Sequence, residues 1–315
     1  MTTLLISQPH GTEHVTPPGH PERGERLGAL TEAFAAARFD RVLRADAELA
    51  DLALAEAVHS PALIEELKSA RPAEGLARVD SDTFLSPNSL TVAATAIGAG
   101  LQALESVMTG TASNAFCAVR PPGHHAERNR SMGFCLVNNI AIVAAEARRR
   151  YGVERIAIVD FDVHHGNGTQ DIFSADPDTF YASSHQIPLY PGTGAIEETG
   201  AGNIVNAPLA PHSGGAEMRE AYRSRILPAL DNFAPDLVLI SAGFDADRRD
   251  PLAQLNWGPD DFAWVTGKLM DAAERRADNR VVSMLEGGYD LTALAEGAAA
   301  HVGLLMSGVA AAAAE

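Results

Sequence analysis

The segment RIAIVDFDVHHGNG at 155–168 constrains this chain more than any other. Ile156, Ala157, Ile158 and Val159 form an unbroken apolar run rich in β-branched residues, which reads as a short buried strand over 155–159. The residues after it are not core. Asp160, Asp162 and His164 are spaced two apart, and in an extended backbone alternate residues share a face. Three potential ligands would then project together from the carboxyl end of one strand, where open α/β sheets bind their ligands. An Asp-x-His pair offers a metal one oxygen and one nitrogen, and Asp160 is placed to brace another group from behind.

The rest of the chain repeats this pattern of strand, loop and helix. Strands are expected at 3–6, 115–119, 180–183, 237–240 and 280–285, and helices at 22–34, 52–58, 61–67, 137–150 and 216–233. Ser60-Pro61 and Ser86-Pro87 are helix-start signals, the second opening a long apolar helix that Gly110 ends. The alanine-rich stretch from Leu291 onward reads as a helix that frays. His10, His14 and His20 fall in a Pro- and Gly-containing loop and are expected to be solvated. With no linker marking a second domain, the fold expected is one doubly wound parallel sheet over 1–315, with an alanine-rich tail at about 305–315. Four strand ends then deliver His124 and His125, the Asp160/Asp162/His164 set, Asp245, and Tyr289. Packing alone does not place chemistry on four loops at corresponding ends of one sheet.

Composition narrows the classes. A net charge of −17 disfavours a nucleic-acid partner. No uninterrupted apolar run reaches membrane length and the first residues lack a basic leader, so a cytoplasmic protein without a membrane partner is expected. Cys117 and Cys135 are too few for a disulfide framework and are expected reduced and buried.

The motifs RPPGHHA at 120–126, GFCLVNN at 133–139, DFDVHHGNG at 160–168, AGFDADRRDPL at 242–252 and EGGYDL at 286–291, with GHPERGERL at 19–27 and PGTG at 191–194, resemble the histone deacetylase superfamily. The wording is nearer to class II and bacterial members, which include acetylpolyamine amidohydrolases and acetoin utilisation proteins. The resemblance implies the arginase/deacetylase fold, an eight-stranded parallel sheet between helices, and amide hydrolysis at Zn²⁺. It assigns the metal to Asp162, His164 and Asp245. Two carboxylates and one imidazole make a hard donor set, so Fe²⁺ is an alternative in the cell. It makes His125, oriented by Asn167, the general base and then acid, and gives His124, backed by Asp160, an electrostatic role. Tyr289 would donate to the oxyanion. Gly133, Phe134 and Tyr190 would line an acyl-lysine tunnel with Leu252 nearby, and Asp82 would grip the substrate backbone, a role for which Asp80 competes. Structural K⁺ is implied at the backbone carbonyl oxygens of Asp160, Asp162 and His164 and those near Ser183 and Ser184, and at a second site of Phe173, Asp176 and Thr179.

The expected substrate is an acetylated lysine in a protein or peptide, with an acetylpolyamine or other small acyl-amine as the alternative. Leu252 offers nothing to a distant ammonium, and only a short connection joins Arg71 to Thr83 where bacterial polyamine deacetylases insert a long segment. A binuclear ureohydrolase is disfavoured because Gly166 stands where a bridging carboxylate would be needed. A non-catalytic scaffold is disfavoured because the ligands, the histidine pair and the tyrosine are all present.

Overall fold

The computed structural model describes residues 1–308; the rest of the alanine-rich tail, 309–315, lies outside the described residues. Strands β1 (Thr3–Ser7), β2 (Leu43–Asp46), β3 (Ala77–Arg78), β4 (Phe84–Leu85), β5 (Asn114–Ala118), β6 (Ile156–Asp160), β7 (Thr179–Gln186), β8 (Ile204–Leu209), β9 (Leu237–Ala242) and β10 (Val281–Leu285) alternate with helices α1 (Glu25–Phe34), α2 (Pro61–Ala70), α3 (Ser89–Met108), α4 (Asn139–Tyr151), α5 (Asn167–Phe173), α6 (Gly215–Ala221), α7 (Leu227–Phe233), α8 (Pro259–Arg276) and α9 (Leu291–Ser307). Eight strands form one sheet in the order β2-β1-β5-β10-β9-β6-β7-β8, every neighbouring pair parallel. The hairpin of β3 and β4 stands apart.

The apolar runs reflect helices on both faces, since a doubly covered strand has no solvent side to alternate toward. In β6, Ala157 and Val159 join one core with Leu27, Phe262, Leu269 and Val302 of α1, α8 and α9. Ile156 and Ile158 join the other with Leu67, Ile97, Leu104 and Ile140 of α2, α3 and α4. Helix α3 is long and apolar enough to cross a membrane, but 78% of its apolar window is buried inside this protein. It is a core helix.

Several expectations change. The chain leaves the sheet after Asp160, so Asp162 and His164 stand in a loop and not in extended strand. Asp162 N donates to Asp160 Oδ1 at 3.1 Å and His164 N to Asp162 Oδ1 at 2.8 Å, which curls the backbone. The alternation nevertheless survives, with Phe161 and Val163 buried in the core between Asp160, Asp162 and His164. The segment expected as a helix at 52–58 is a 3₁₀ turn, Leu52–Ala57. Helix α3 begins three residues after Ser86, because Ser86 Oγ is engaged by Val15 N and Glu13 O. The helix expected over 216–233 contains a π-helical segment at Tyr222–Ile226, just before Pro228, which supplies no N–H for a regular helical bond.

Nor is the 10–20 loop solvated throughout. His14 is buried, its Nδ1 2.7 Å from Ser89 Oγ, and His20 bridges Glu22 O and Asp82 O. This loop wraps a buried ion pair. Arg120, soon after β5, donates to both Glu22 oxygens at 2.7 Å and to Gly11 O and His14 O at 2.7 Å. Burial alone would raise the Glu22 carboxyl; the Arg120 guanidinium holds it well below the usual carboxylate range. Arg120→Met should cost about 3–5 kcal/mol, because a buried carboxylate would lose its main partner. Urea unfolding monitored by circular dichroism checks this, as a lowered midpoint.

Candidate active site

Strands β5, β10, β9 and β6 are consecutive neighbours at the centre of the sheet, and their carboxyl ends bring His124 and His125, Tyr289, Asp245, and Asp162 with His164 to one place. The loop after β5 is anchored from below by Glu286, at the end of β10. Its Oε2 accepts from Gly123 N at 2.7 Å and His124 N at 3.2 Å, and its Oε1 from Ser241 Oγ at 3.1 Å. Burial raises this carboxyl to about 7.

Asp162, His164 and Asp245 are buried, and one ligand atom from each lies within 4.8 Å of the others. His164 Nδ1 is 3.1 Å from both Asp162 Oδ1 and Asp245 Oδ2. The carboxylates are aimed by backbone amides, Gly287 N donating to Asp162 Oδ2 at 2.8 Å and Val163 N to Asp245 Oδ1 at 2.9 Å. A Cβ at Gly243 would collide with Asp162, and one at Gly287 with Asp245 and Asp162, so both glycines are needed for this approach. Two buried carboxylates and an imidazole converging on one point fit a divalent cation, which supplies the positive charge they lack. At Gly166 an added Cβ would meet Asp160 and Tyr181, leaving no room for a second metal's bridging carboxylate.

The two histidines beside this set have opposite electrostatics. Burial opposes a charge on His124, but Asp160, Asp162 and Glu286 outweigh it and raise its pKa to about 10. Its Nδ1 lies 2.9 Å from Asp160 Oδ2, which also accepts from Tyr181 Oη at 3.1 Å. His125 is pushed well below its ordinary value by burial and by the charges on His124 and His164. Its Nδ1 is 2.8 Å from Oδ1 of Asn167, the first residue of α5. The rings are 4.0 Å apart between centroids. Neighbouring titratable groups driven in opposite directions are the arrangement acid–base work requires.

Above them is a cavity of about 210 Å³ lined by Asp82, His125, Gly133, Phe134, His164, Leu189, Tyr190, Leu252 and Tyr289. A larger cleft of about 510 Å³ beside Thr12 and Gly28 holds none of the three metal-site residues. Gly133 has φ 57°, and a Cβ there would collide with the His125 ring. Tyr190 stands edge-on to His125 at 5.1 Å and Phe134 edge-on to Tyr289 at 5.7 Å. Asp80 is engaged by Arg130 at 3.1 Å, which leaves Asp82 at the cavity. Burial raises the Tyr289 hydroxyl well above its ordinary pKa, so it remains a donor at neutral pH.

Sequence reasoning missed the groups that hold Tyr289. Asp250 Oδ2 accepts from Tyr289 N at 2.7 Å, and burial reinforced by the Asp245 charge raises Asp250 to about 7. Arg26 donates to Gly288 O at 2.8 Å and to Glu286 O, with its guanidinium 5.1 Å from the Tyr289 ring centroid. Arg26 lies in the GHPERGERL motif, but its position four residues after Glu22 looks like an ordinary helical surface pair, and nothing local shows that its partners are the 286 and 288 carbonyls. Leu189 was also not singled out as a wall residue.

The potassium expectations separate. Asp160 and Ser183 are neighbours in the β6–β7 ladder, beside the loop of Asp162 and His164. Ser183 Oγ is paired with His185 and Ser184 Oγ with Tyr222. At the second place, Asn203 Nδ2 donates to Phe173 O at 2.9 Å, Asp176 O at 2.9 Å and Thr179 O at 2.7 Å. The three carbonyls do converge, but on a carboxamide of this chain. Arg148 adds a cation at the rim through Asp176 and Thr179 Oγ1. These residues do not fit a second K⁺.

Residues 20–305 match the histone deacetylase domain. The chain is 38% identical over 304 residues to histone deacetylase 10, chloroplastic, of Oryza sativa, covering 89% of this chain and 68% of the rice protein. It is 40% identical over 237 residues to the histone deacetylase-like amidohydrolase of Pseudomonas aeruginosa, covering 74% of this chain and 62% of that protein. The crystal structure of the HDA15 HD domain superposes with a TM-score of 0.92 at 34% identity, covering 98% of this chain and 88% of that one.

The carbonyl cluster at 173–179 yields a crystallographic prediction. Crystals grown with Rb⁺ in place of K⁺ should show no anomalous peak among the Phe173, Asp176 and Thr179 carbonyls. A peak there, with the Asn203 side chain displaced, would restore the cation.

Proposed function

Because this chain belongs to the histone deacetylase family of hydrolases, we propose that it removes the acyl group from acylated lysine side chains of proteins or peptides, using Zn²⁺ held by Asp162, His164 and Asp245. The observation that carries the reading is a pair of histidines, one tied to Asp160 and the other to Asn167, set side by side against three buried candidate ligands at the floor of a narrow cavity. The donor set is hard enough to accept Fe²⁺ as well.

When bound, the metal supplies Lewis acidity toward the acyl carbonyl and acidifies a water molecule. His125 does the proton work. With Nδ1 directed at Asn167 Oδ1, its Nε2 carries the free lone pair and takes a proton as the water oxygen bonds to the acyl carbon. The same proton passes to the amine nitrogen as the C–N bond breaks, giving a carboxylic acid and a free amine. His124, charged and tied to Asp160, stabilises negative charge without giving up its proton. Tyr289 donates its hydroxyl to the developing oxyanion.

Phe134, Tyr190, Leu189 and Leu252 form walls suited to a lysine's four-carbon stem. Asp82 at the cavity is placed to accept from a peptide backbone. It is also the observation that favours the second reading, an acylated polyamine whose distal ammonium would meet this carboxylate. K⁺ near Asp160, Asp162, His164, Ser183 and Ser184 is retained as a structural proposal.

Measured side by side, kcat/KM should be about tenfold or more higher for an acetyl-lysine peptide than for acetylputrescine or acetylspermidine. The opposite ranking would establish the polyamine reading. Tyr289→Phe should lower kcat by about 10²–10³-fold, as for loss of one oxyanion donor. His125→Ala should lower it by about 10²–10⁴-fold through loss of the base. Single-turnover assays on both variants test these outcomes, and turnover near that of the parent in either would remove the role assigned.

A further inference from the structure

The carboxamide of Asn167 can face His125 in two ways with opposite consequences. If its oxygen faces Nδ1, the imidazole carries its proton there and Nε2 is a base. If its nitrogen faces Nδ1, the proton moves to Nε2 and the ring cannot accept one from water. An asparagine does not choose between these by itself.

The surroundings of Nδ2 do choose. Glu127 Oε1 lies 2.7 Å away, Met132 Sδ 3.4 Å and His125 O 3.5 Å. All three are acceptors, and an ionised carboxylate is acceptor only. Turning the amide would set its oxygen against all of them. Glu127 is itself held by its backbone, whose N–H donates to Arg130 O at 2.9 Å and whose carbonyl is 2.9 Å from His59 Nδ1. Its side chain is absent from the walls of the cavity.

We propose that Glu127 is a positioning residue of the reaction, locking Asn167 with its oxygen toward His125 and so fixing the Nδ1–H tautomer that leaves Nε2 free. The role rests on the reading of His125 as the base, and it assigns to Glu127 the negative charge that an aspartate at 167 would carry directly. Two variants separate the lock from mere packing. In Glu127→Gln, the new amide accepts or donates equally well, so the lock is lost. In the double variant Glu127→Gln/Asn167→Asp, a carboxylate faces Nδ1 in either orientation, and the glutamine donates to it.

The test is a kinetic cycle on the metal-loaded full chain, with ¹⁵N NMR of His125 in the same proteins. Glu127→Gln should lower kcat by about tenfold or more with KM unchanged, and should shift His125 away from the Nδ1–H tautomer. Asn167→Asp alone should do no better, since it sets two carboxylates against one another. The double variant should recover kcat to within about threefold of the parent and restore the tautomer. A Glu127→Gln protein with parental kcat and the Nδ1–H tautomer overturns the proposal, as does a double variant no better than either single. Because the tautomer is read without turnover, a His125→Ala variant that stayed active would refute the base assignment and leave the lock to stand or fall on the NMR.

Discussion

Two aspartates buried a few ångströms apart, Asp162 after β6 and Asp245 after β9, are the constraint to which the rest of this structure answers. Neither carboxylate is stable there without positive charge between them, since desolvation and mutual repulsion act in the same direction. His164 Nδ1 sits 3.1 Å from both. Burial opposes a charge on this ring, but the two hydrogen bonds outweigh it so far that its pKa rises to about 10. The site thus demands a cation, a proton or a metal. A parallel sheet satisfies the geometry because neighbouring strand ends place ligands from distant parts of the sequence at one depth.

Other charges are arranged around that demand in layers. Glu286 lies beneath the histidine loop and grips two of its amides, while Asp250 holds the amide of Tyr289. Arg26 ties the 286–288 carbonyls to α1, and Arg120 with Glu22 closes the loop that leads into α1. The strand ends are therefore cross-linked by buried polar contacts from several directions, and a side chain such as Tyr289 is held although its own segment is a glycine turn. Such pre-organisation is what electrostatic catalysis depends on, because the donors need not reorganise when charge develops.

Much of this was legible in the residues. Buried strands announce themselves as apolar runs bounded by loop residues, and the two-residue spacing of Asp160, Asp162 and His164 identified a shared direction even though the strand ends at Asp160. Edge strands were less visible. β2 is largely exposed and polar, and β8 contains Pro208, tolerated because β8 is at the edge of the sheet. Helix α8 was not anticipated, although Gly258-Pro259 opens it. The candidate metal ligands, the histidine pair and the aromatic walls of the cavity lie in short motifs and could be named. Arg26 and Asp250 also stand inside quoted motifs, but like Glu127 and Asn203 they act on atoms far away in sequence, mostly backbone, and no local pattern encodes such a partner.

The central claim is that one divalent ion between Asp162, His164 and Asp245 makes the protein a hydrolase. Its most direct test is to strip the purified chain with a chelator and restore Zn²⁺ by titration, tracking metal bound per chain together with hydrolysis of an acetyl-lysine peptide. The account predicts that activity vanishes with the metal and returns linearly to a sharp end point at about one ion per chain. Hydrolysis that persists in the stripped protein, or that requires two ions, would contradict it.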